Sequence, residues 1–382
     1  MGCDGRKETF AILQEKRNYD QKLVWFHAAS LGEFEQGRPL LEKIRTQHPD
    51  YQILLTFFSP SGYEIRKNYP LADIVCYLPL DSVKNAKRFI ELARPNQVFF
   101  IKYEFWFNFL KELTDKKIPT YYIAAIFRPN QYFFKWHGRF LQPFLKKITH
   151  YFVQNDTSKK QLERIGIGQV SVVGDPRIDR VFEIAKKPNL YPTIADFCGQ
   201  KPVLVIGSSW EKDEAILMPF INENTDWKFI IAPHEIHKNH LQNIENQCIK
   251  KIIRFSNLEK NGDADVLLID NIGMLSSLYQ FGKIAYIGGG FGAGIHNTLE
   301  PMAYNLPVIF GTNYQKFEEA NAMISAGGAF SIASKEDFGT IFKQLEIAEN
   351  WKAASLQIQR YINENVGATD KILDHLKLLK SR

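Results

Sequence analysis

Two acidic residues, each just downstream of a short apolar run, are the groups in this sequence best suited to proton chemistry. Glu33 ends the run His27-Ala28-Ala29-Ser30-Leu31-Gly32-Glu33, whose small residues let the backbone turn sharply into a helix beginning near Gly32. A carboxylate there can serve as a general base. Ser30-x-x-Glu33 also matches a capping box, in which the acid would only complement the helix start. Glu104 sits in Ile101-Lys102-Tyr103-Glu104-Phe105-Trp106, an apolar and aromatic surround in which an acid needs a partner. Either Lys102 or another base pairs with it, or it orients a catalytic group or a sugar hydroxyl. Between them, Thr56-Phe57-Phe58-Ser59-Pro60-Ser61-Gly62 is a hydroxyl-rich turn ahead of a helix. It suits hydrogen bonding to a sugar or phosphate, and ordinary helix capping explains it as well.

The second half of the chain offers backbone amides rather than acids. Val203-Leu204-Val205-Ile206-Gly207-Ser208-Ser209-Trp210 reads as a buried strand ending in a small polar turn, and Gly288-Gly289-Gly290-Phe291-Gly292-Ala293-Gly294 runs directly into Ile295-His296-Asn297-Thr298-Leu299-Glu300-Pro301. Glycines at such density let the backbone approach an anion closely. A dinucleotide fingerprint can be laid on Gly288, Gly290 and Ala293, but it falls late in the chain and lacks a packing glycine. Asn297-x-x-Glu300 is either a second capping box or a grip on ribose hydroxyls. His234, His237 and His240 do not have the HExxH spacing of helical zinc sites, so no metal is expected; His234, at a helix entrance after Pro233, is better suited to touching a nucleotide. No GxxxxGK phosphate loop and no GxSxG nucleophile turn occurs.

These residues need a scaffold that brings loops together. Strand-like runs at 23–27, 52–57, 73–78, 97–101, 120–124, 151–154 and 170–173 alternate with helical patterns, and a second series follows at 203–207, 228–232, 266–270, 283–288, 308–310 and 329–332. Such alternation implies βαβ units and two doubly wound parallel sheets, with ligands outside the carboxyl ends of the strands. The polar, proline-containing stretch 186–192 reads as a linker, so the expected domains are 1–180 and 181–382. The helix-like segment 351–380 is expected to pack back on the first domain.

Composition narrows the partners. The 382 residues carry 48 Lys and Arg against 42 Asp and Glu, a net charge of +6, too small and dispersed an excess to argue for nucleic acid. The four cysteines, Cys3, Cys76, Cys198 and Cys248, form no CxxC pair, so neither a zinc site nor a disulfide framework is expected. No run approaches the roughly 20 apolar residues that span a bilayer, which leaves a soluble or peripheral chain. The segment Arg128-Pro129-Asn130-Gln131-Tyr132-Phe133-Phe134-Lys135-Trp136-His137-Gly138-Arg139-Phe140 mixes bases with aromatics, as in contact with an acidic lipid surface. Base stacking on RNA is one rival reading. A buried aromatic helix is another, with only Arg128, Lys135 and Arg139 left outside.

Taken in order, HAASLGE, IKYEFW, VVGDPRIDRV, IAPHE and GIHNTLEP resemble the Kdo transferases over nearly the whole chain. That family consists of GT-B glycosyltransferases of lipopolysaccharide synthesis. The resemblance implies an α/β protein of two Rossmann-like, doubly wound parallel-sheet domains facing a cleft, the first for the acceptor and the second for the CMP-sugar. It implies inverting transfer of Kdo from CMP-Kdo, a substrate and not a cofactor, to a lipid A precursor of the lipid IVA type. No metal and no nucleic acid take part, and the work is done peripherally on the cytoplasmic face of the inner membrane. Glu33 falls on the family's proposed base and Glu104 on an acid of its second motif. Donor contacts are expected at Gly207, Ser208, Pro233, His234, Gly273, Met274, Leu275, Gly294, Asn297, Thr298, Leu299 and Glu300, and acceptor contacts at Ser30, Gly32, Ser59, Ser61, Gly62 and Arg128. The chain departs from many relatives at Pro233-His234-Glu235, where they read Pro-Arg-His, and at Gly273-Met274-Leu275, where they read Gly-Glu-Leu. Relatives often begin with a hydrophobic anchor. The alternatives are another GT-B enzyme using a UDP-sugar, or a non-enzymatic binder of anionic lipid.

Overall fold

The structure, a computed structural model, describes residues 2–102, 104–260 and 264–380; Tyr103 of the Glu104 motif lies outside the described residues. The chain divides into two compact units, one holding the residues up to Asp179 and those from Val366 onward, the other Arg180–Asn365.

The first unit is built on a parallel sheet of β1 (Leu23–Ala28), β2 (Gln52–Phe57), β3 (Ile74–Tyr77), β4 (Gln97–Ile101), β5 (Thr120–Ala125), β6 (His150–Val153) and β7 (Val170–Val172), in the order β3-β2-β1-β4-β5-β6-β7. Strands β1, β2 and β5 are buried at every position, as expected of parallel strands covered by helices on both faces, and so they read as continuous apolar runs. Neighbouring residues serve opposite faces. Trp25, Phe100, Tyr122 and Tyr151 enter one core, while Phe26, Phe99, Tyr121 and Phe152 enter the other. Rings stack from strand to strand on both faces: Phe99 on Tyr121 at 5.1 Å, Phe100 on Tyr122 at 5.4 Å and Tyr122 on Tyr151 at 5.3 Å. Each such ring contributes about 2–3 kcal/mol by leaving water.

The second unit repeats the plan with β8 (Val203–Ser209), β9 (Lys228–Pro233), β10 (Ile252–Arg254), β11 (Val266–Leu268), β12 (Ile284–Ile287), β13 (Val308–Gly311) and β14 (Ala329–Ile332), ordered β10-β11-β9-β8-β12-β13-β14 and parallel throughout. The edge strand β10 has no counterpart in the sequence reading. Of its three residues only Ile253 is buried, too few to show an apolar run. In each sheet the chain reverses direction around its first strand, between β1 and β4 and between β8 and β12. Such switch points open a crevice at the carboxyl ends.

The terminal segment differs from the single helical stretch read from sequence. Helix Ala348–Asn365 ends before Gly367, whose φ of 97° is a left-handed conformation that breaks the helix at little cost. Helix Ala368–Lys380 then places Ile372, Leu373 and Leu376 in the first unit's core. Its start is held by Asp179, which is buried and accepts the N–H groups of Gly367 and Thr369 at 2.5 and 2.6 Å. The stretch read as a linker lies past this boundary, with the Asn189 N–H donated to Ser277 and its carbonyl accepting from Gln280 in the second unit.

The basic-aromatic segment is not a buried helix. It forms two 3-10 turns, Tyr132–Phe134 and Trp136–Leu141. Phe133 is buried, whereas Trp136 is 80% and Phe140 60% exposed, so more than the three basic residues resists burial. Among the described residues, no helix is long and apolar enough to cross a membrane and no cluster of potential metal ligands occurs.

Candidate active site

In the first unit the two acids meet at the β1/β4 switch point. Helix Leu31–Gln47 follows β1, with Ser30 extended at its cap and its hydroxyl making no capping bond. Glu33 Oε2 instead accepts the Ala29 N–H at 2.7 Å, so only the carboxylate half of a capping box forms. Glu33 is 9% exposed. Burial raises its pKa, against the Ala29 amide, the Lys102 charge and the Ser30 amide. Glu104 is pushed up to about 7, first by burial and then by the Glu33 charge, with Trp106 and Lys102 opposing. A carboxyl held near neutrality in part by the charge of a second, buried carboxyl is suited to exchanging a proton with it.

The elements that carry Glu104 are themselves constrained. The Tyr122 hydroxyl donates to the Glu104 carbonyl at 2.9 Å. Lys102 closes β4 with φ of 65°, a left-handed conformation that costs a non-glycine residue about 1–2 kcal/mol. Its N–H is held by the Ile123 carbonyl, and among the described residues no ion pair joins Lys102 to Glu104.

His27, not singled out in the sequence, lies under this site. It is fully buried on β1, with Nδ1 2.9 Å from the Thr56 hydroxyl, which also accepts the Trp25 indole N–H at 2.8 Å. Burial lowers its pKa to about 3, so the ring is neutral. Its edge meets the Trp106 ring at 5.6 Å and 83°, supporting the indole next to Glu104.

The remaining acceptor candidates divide. Ser59 caps helix Pro60–Arg66 by accepting the Ser61 N–H, and its own N–H donates to the Ala29 carbonyl at 2.8 Å, so this turn abuts the Glu33 loop. A Cβ on Gly62 would stand 2.3 Å from the Phe57 ring and 3.2 Å from the Leu31 nitrogen, so glycine is required for the approach. A Cβ on Gly32 would meet open space. Arg128 is exposed on the loop after β5, its N–H held by Gln131; among the described residues no hydrogen bond or ion pair joins it to Glu33 or Glu104.

In the second unit the segments after β8, β9, β11 and β12 converge. Ser208, His234, Gly273, Leu275, Asn297 and Glu300 line one cavity of about 260 Å³ together with Ser276, Tyr279 and His296. Gly294 lines an adjoining cavity of about 550 Å³, which also reaches His296. Gly207, Pro233, Met274, Thr298 and Leu299 are buried beside these lining residues. The capping box does not form: Thr298 holds the N-cap position without a side-chain capping bond, while Asn297 Oδ1 accepts the Leu299 N–H and the Asn297 amide donates to Glu300, both at 3.1 Å. That contact holds the Glu300 carboxylate at the cavity wall. A Cβ on Gly207 would fall 2.1 Å from the Tyr279 hydroxyl, and one on Gly288 2.2 Å from the Ser208 carbonyl, so the two loops touch backbone to backbone.

The anchor of this arrangement is Asp213, a residue the sequence did not mark. It is buried and accepts the Tyr286 hydroxyl at 2.8 Å, the Gly289 N–H at 2.9 Å and the Trp210 N–H at 3.0 Å. One carboxylate thereby ties the β8 loop to the glycine loop. Beside it, Glu214 accepts the Ser209 hydroxyl and His240 Nε2 at 2.9 Å, while His240 Nδ1 lies 2.8 Å from the Glu235 carbonyl. His240 is thus a buried partner of Glu214, and its pKa is raised by that carboxylate against burial.

Two parallel sheets, each with its polar loops at a switch point, are the GT-B arrangement of glycosyltransferases. The structure resembles a UDP-GlcNAc 2-epimerase from Neisseria meningitidis bound to UDP-GlcNAc, with a TM-score of 0.63 at 17% identity over 93% of this chain and 99% of that one. An S. aureus protein solved with UDP matches at a TM-score of 0.60 and 16% identity, over 94% and 97% of the two chains. At such identities the likeness concerns fold alone.

Residues 4–180 match the family described as 3-Deoxy-D-manno-octulosonic-acid transferase (kdotransferase). A 3-deoxy-D-manno-octulosonic acid transferase of Aquifex aeolicus is 28% identical over 84% of this chain and 85% of its own length. One from Rickettsia typhi is 25% identical over 96% and 81%. A bifunctional glycosyltransferase/methyltransferase of Fusobacterium nucleatum is 27% identical over 91% of this chain, which spans 56% of that protein.

Proposed function

We propose that this chain transfers Kdo from CMP-Kdo to a lipid A precursor of the lipid IVA type, with inversion at the anomeric carbon. The observation that supports it most is the convergence, on one cavity of the second unit, of Ser208 with five residues that the family resemblance assigns to CMP, His234, Gly273, Leu275, Asn297 and Glu300. In this reading Glu300, held by Asn297, takes the ribose hydroxyls, and the glycine-loop amides stabilise charge growing on the departing phosphate. Glu33 removes the proton of the attacking acceptor hydroxyl, and Glu104, poised near neutrality, supports it. Ser59, Ser61 and the exposed Gly32 bind the acceptor sugar, and Arg128 takes one of its phosphates. The exposed Trp136 and Phe140, set among Lys135 and Arg139, suit contact with the anionic cytoplasmic face of a membrane.

The test is release of CMP from CMP-Kdo, measured with and without the lipid acceptor and beside UDP-sugars. Acceptor-dependent release of CMP alone is expected. Transfer only from a UDP-sugar would replace this donor, and no transfer from any donor would leave a binding protein.

A further inference from the structure

The cavity of about 550 Å³ beside the nucleotide pocket has a wall that no part of the proposed reaction has yet used. Trp210, at the end of β8, donates its indole N–H to His296 Nε2 at 2.9 Å, and the two ring planes differ by only 13° with centroids 6.3 Å apart. Two rings joined edge to edge in nearly one plane form a single flat surface. His234 stacks against both of them, 4.6 Å from Trp210 and 4.3 Å from His296. It lines the smaller cavity and not the larger, whereas Trp210 lines the larger and not the smaller. One face of the Trp210–His296 surface is therefore backed by His234, and the other is left toward the larger space.

The surroundings indicate what such a face would hold. Lys212 and the carboxylates of Glu211 and Glu235 lie on the same cavity wall as the glycine loop. A flat ring surface receives the C–H face of a pyranose, carboxylates and amides satisfy its hydroxyls, and a lysine suits an acidic substituent. A purely apolar ligand would leave those charges unanswered. The surface is also fixed in place, because Asp213 holds both the Trp210 backbone and Gly289. The accepting Nε2 of His296 requires that a neutral ring carry its proton on Nδ1, and burial with the adjacent His234 keeps that ring neutral by lowering its pKa to about 4.

We propose that the larger cavity is the subsite for the sugar ring of the donor, which stacks on the coplanar Trp210–His296 surface while its nucleotide occupies the smaller cavity on the far side of His234. This rests on the sugar-nucleotide reading above and extends it to Trp210, which lies outside the family motifs.

Calorimetric binding of CMP and of CMP-Kdo, without acceptor, to the parent chain and to Trp210→Ala tests it. The variant should bind CMP within about two-fold of the parent and CMP-Kdo roughly ten-fold more weakly, the usual worth of one lost stacking surface. Trp210→Phe keeps a ring but not the indole N–H, and should recover part of the loss; it also serves if the alanine variant does not fold. Equal weakening for both ligands, or none for CMP-Kdo, overturns the proposal. If the parent binds UDP-GlcNAc and not CMP-Kdo, the donor reading fails by itself. The same comparison of UDP with UDP-GlcNAc then decides the subsite.

Discussion

Replacing Glu104 with Gln separates the charge of this residue from its shape. In the folded chain the carboxyl is pushed from an ordinary value of 4.5 to about 7. A pKa raised by folding means that the neutral acid is the form the fold favours. Its contribution to stability is therefore complete below about pH 4.5 and is lost as pH rises through about 7. At about 1.4 kcal/mol for each unit, the full shift amounts to about 3 kcal/mol. Glu104 is only half-buried, and solvent screening reduces the figure to about 1–2 kcal/mol. Glutamine cannot ionise, so the variant should match the parent near pH 4 and exceed its stability by that amount above pH 8. Urea unfolding at both pH values, fitted with separate transitions for the two units, measures the difference. A variant equally stable or equally weakened at both pH values would refute the assignment of the shift to burial and to Glu33.

Glu33→Gln should fold as the parent does yet lose about 10²–10⁴ in acceptor-dependent CMP release; near-normal turnover would remove it as the base. Gly288→Ala forces a methyl group to within 2.2 Å of the Ser208 carbonyl, where only backbone can yield, and should lower the stability of the second unit by about 1–3 kcal/mol in thermal melts. Asp213→Ala leaves the Tyr286 hydroxyl and two N–H groups without their acceptor, so it should cost about 2–4 kcal/mol and abolish measurable CMP binding by calorimetry. Should Asp213→Ala bind CMP normally, the two loops do not depend on this carboxylate.

The sheets were legible because parallel strands buried on both faces leave uninterrupted apolar runs such as Leu204-Val205-Ile206 and Val98-Phe99-Phe100. Glu33 and Glu104 stood out as acids placed directly after such runs. Asp213 did not, since it lies within the first turn of an ordinary amphipathic helix and its task depends on Gly289, 76 residues further on. Trp210 and His296 were equally silent, because coplanarity between residues 86 apart is a property of the sheet order and not of spacing. The segment around Trp136 misled in the other direction. Aromatic density usually signals a core, but here 3-10 turns send neighbouring rings to opposite fates, Phe133 inward and Trp136 outward.

The bond from Asp179 to the start of the last helix bears on how the chain comes to be folded at all. Because the first unit takes its final helix from residues after Val366, it is a discontinuous body with the second inserted into it. On a ribosome, synthesis proceeds from the N-terminus, so the second unit is complete in sequence while the first still lacks the helix that buries Ile372 and Leu376. The half of the protein made first is thus the half finished last. Until then the apolar face of Leu31–Gln47 that receives that helix stays uncovered, a reason for the nascent chain to need protection that the mature protein does not.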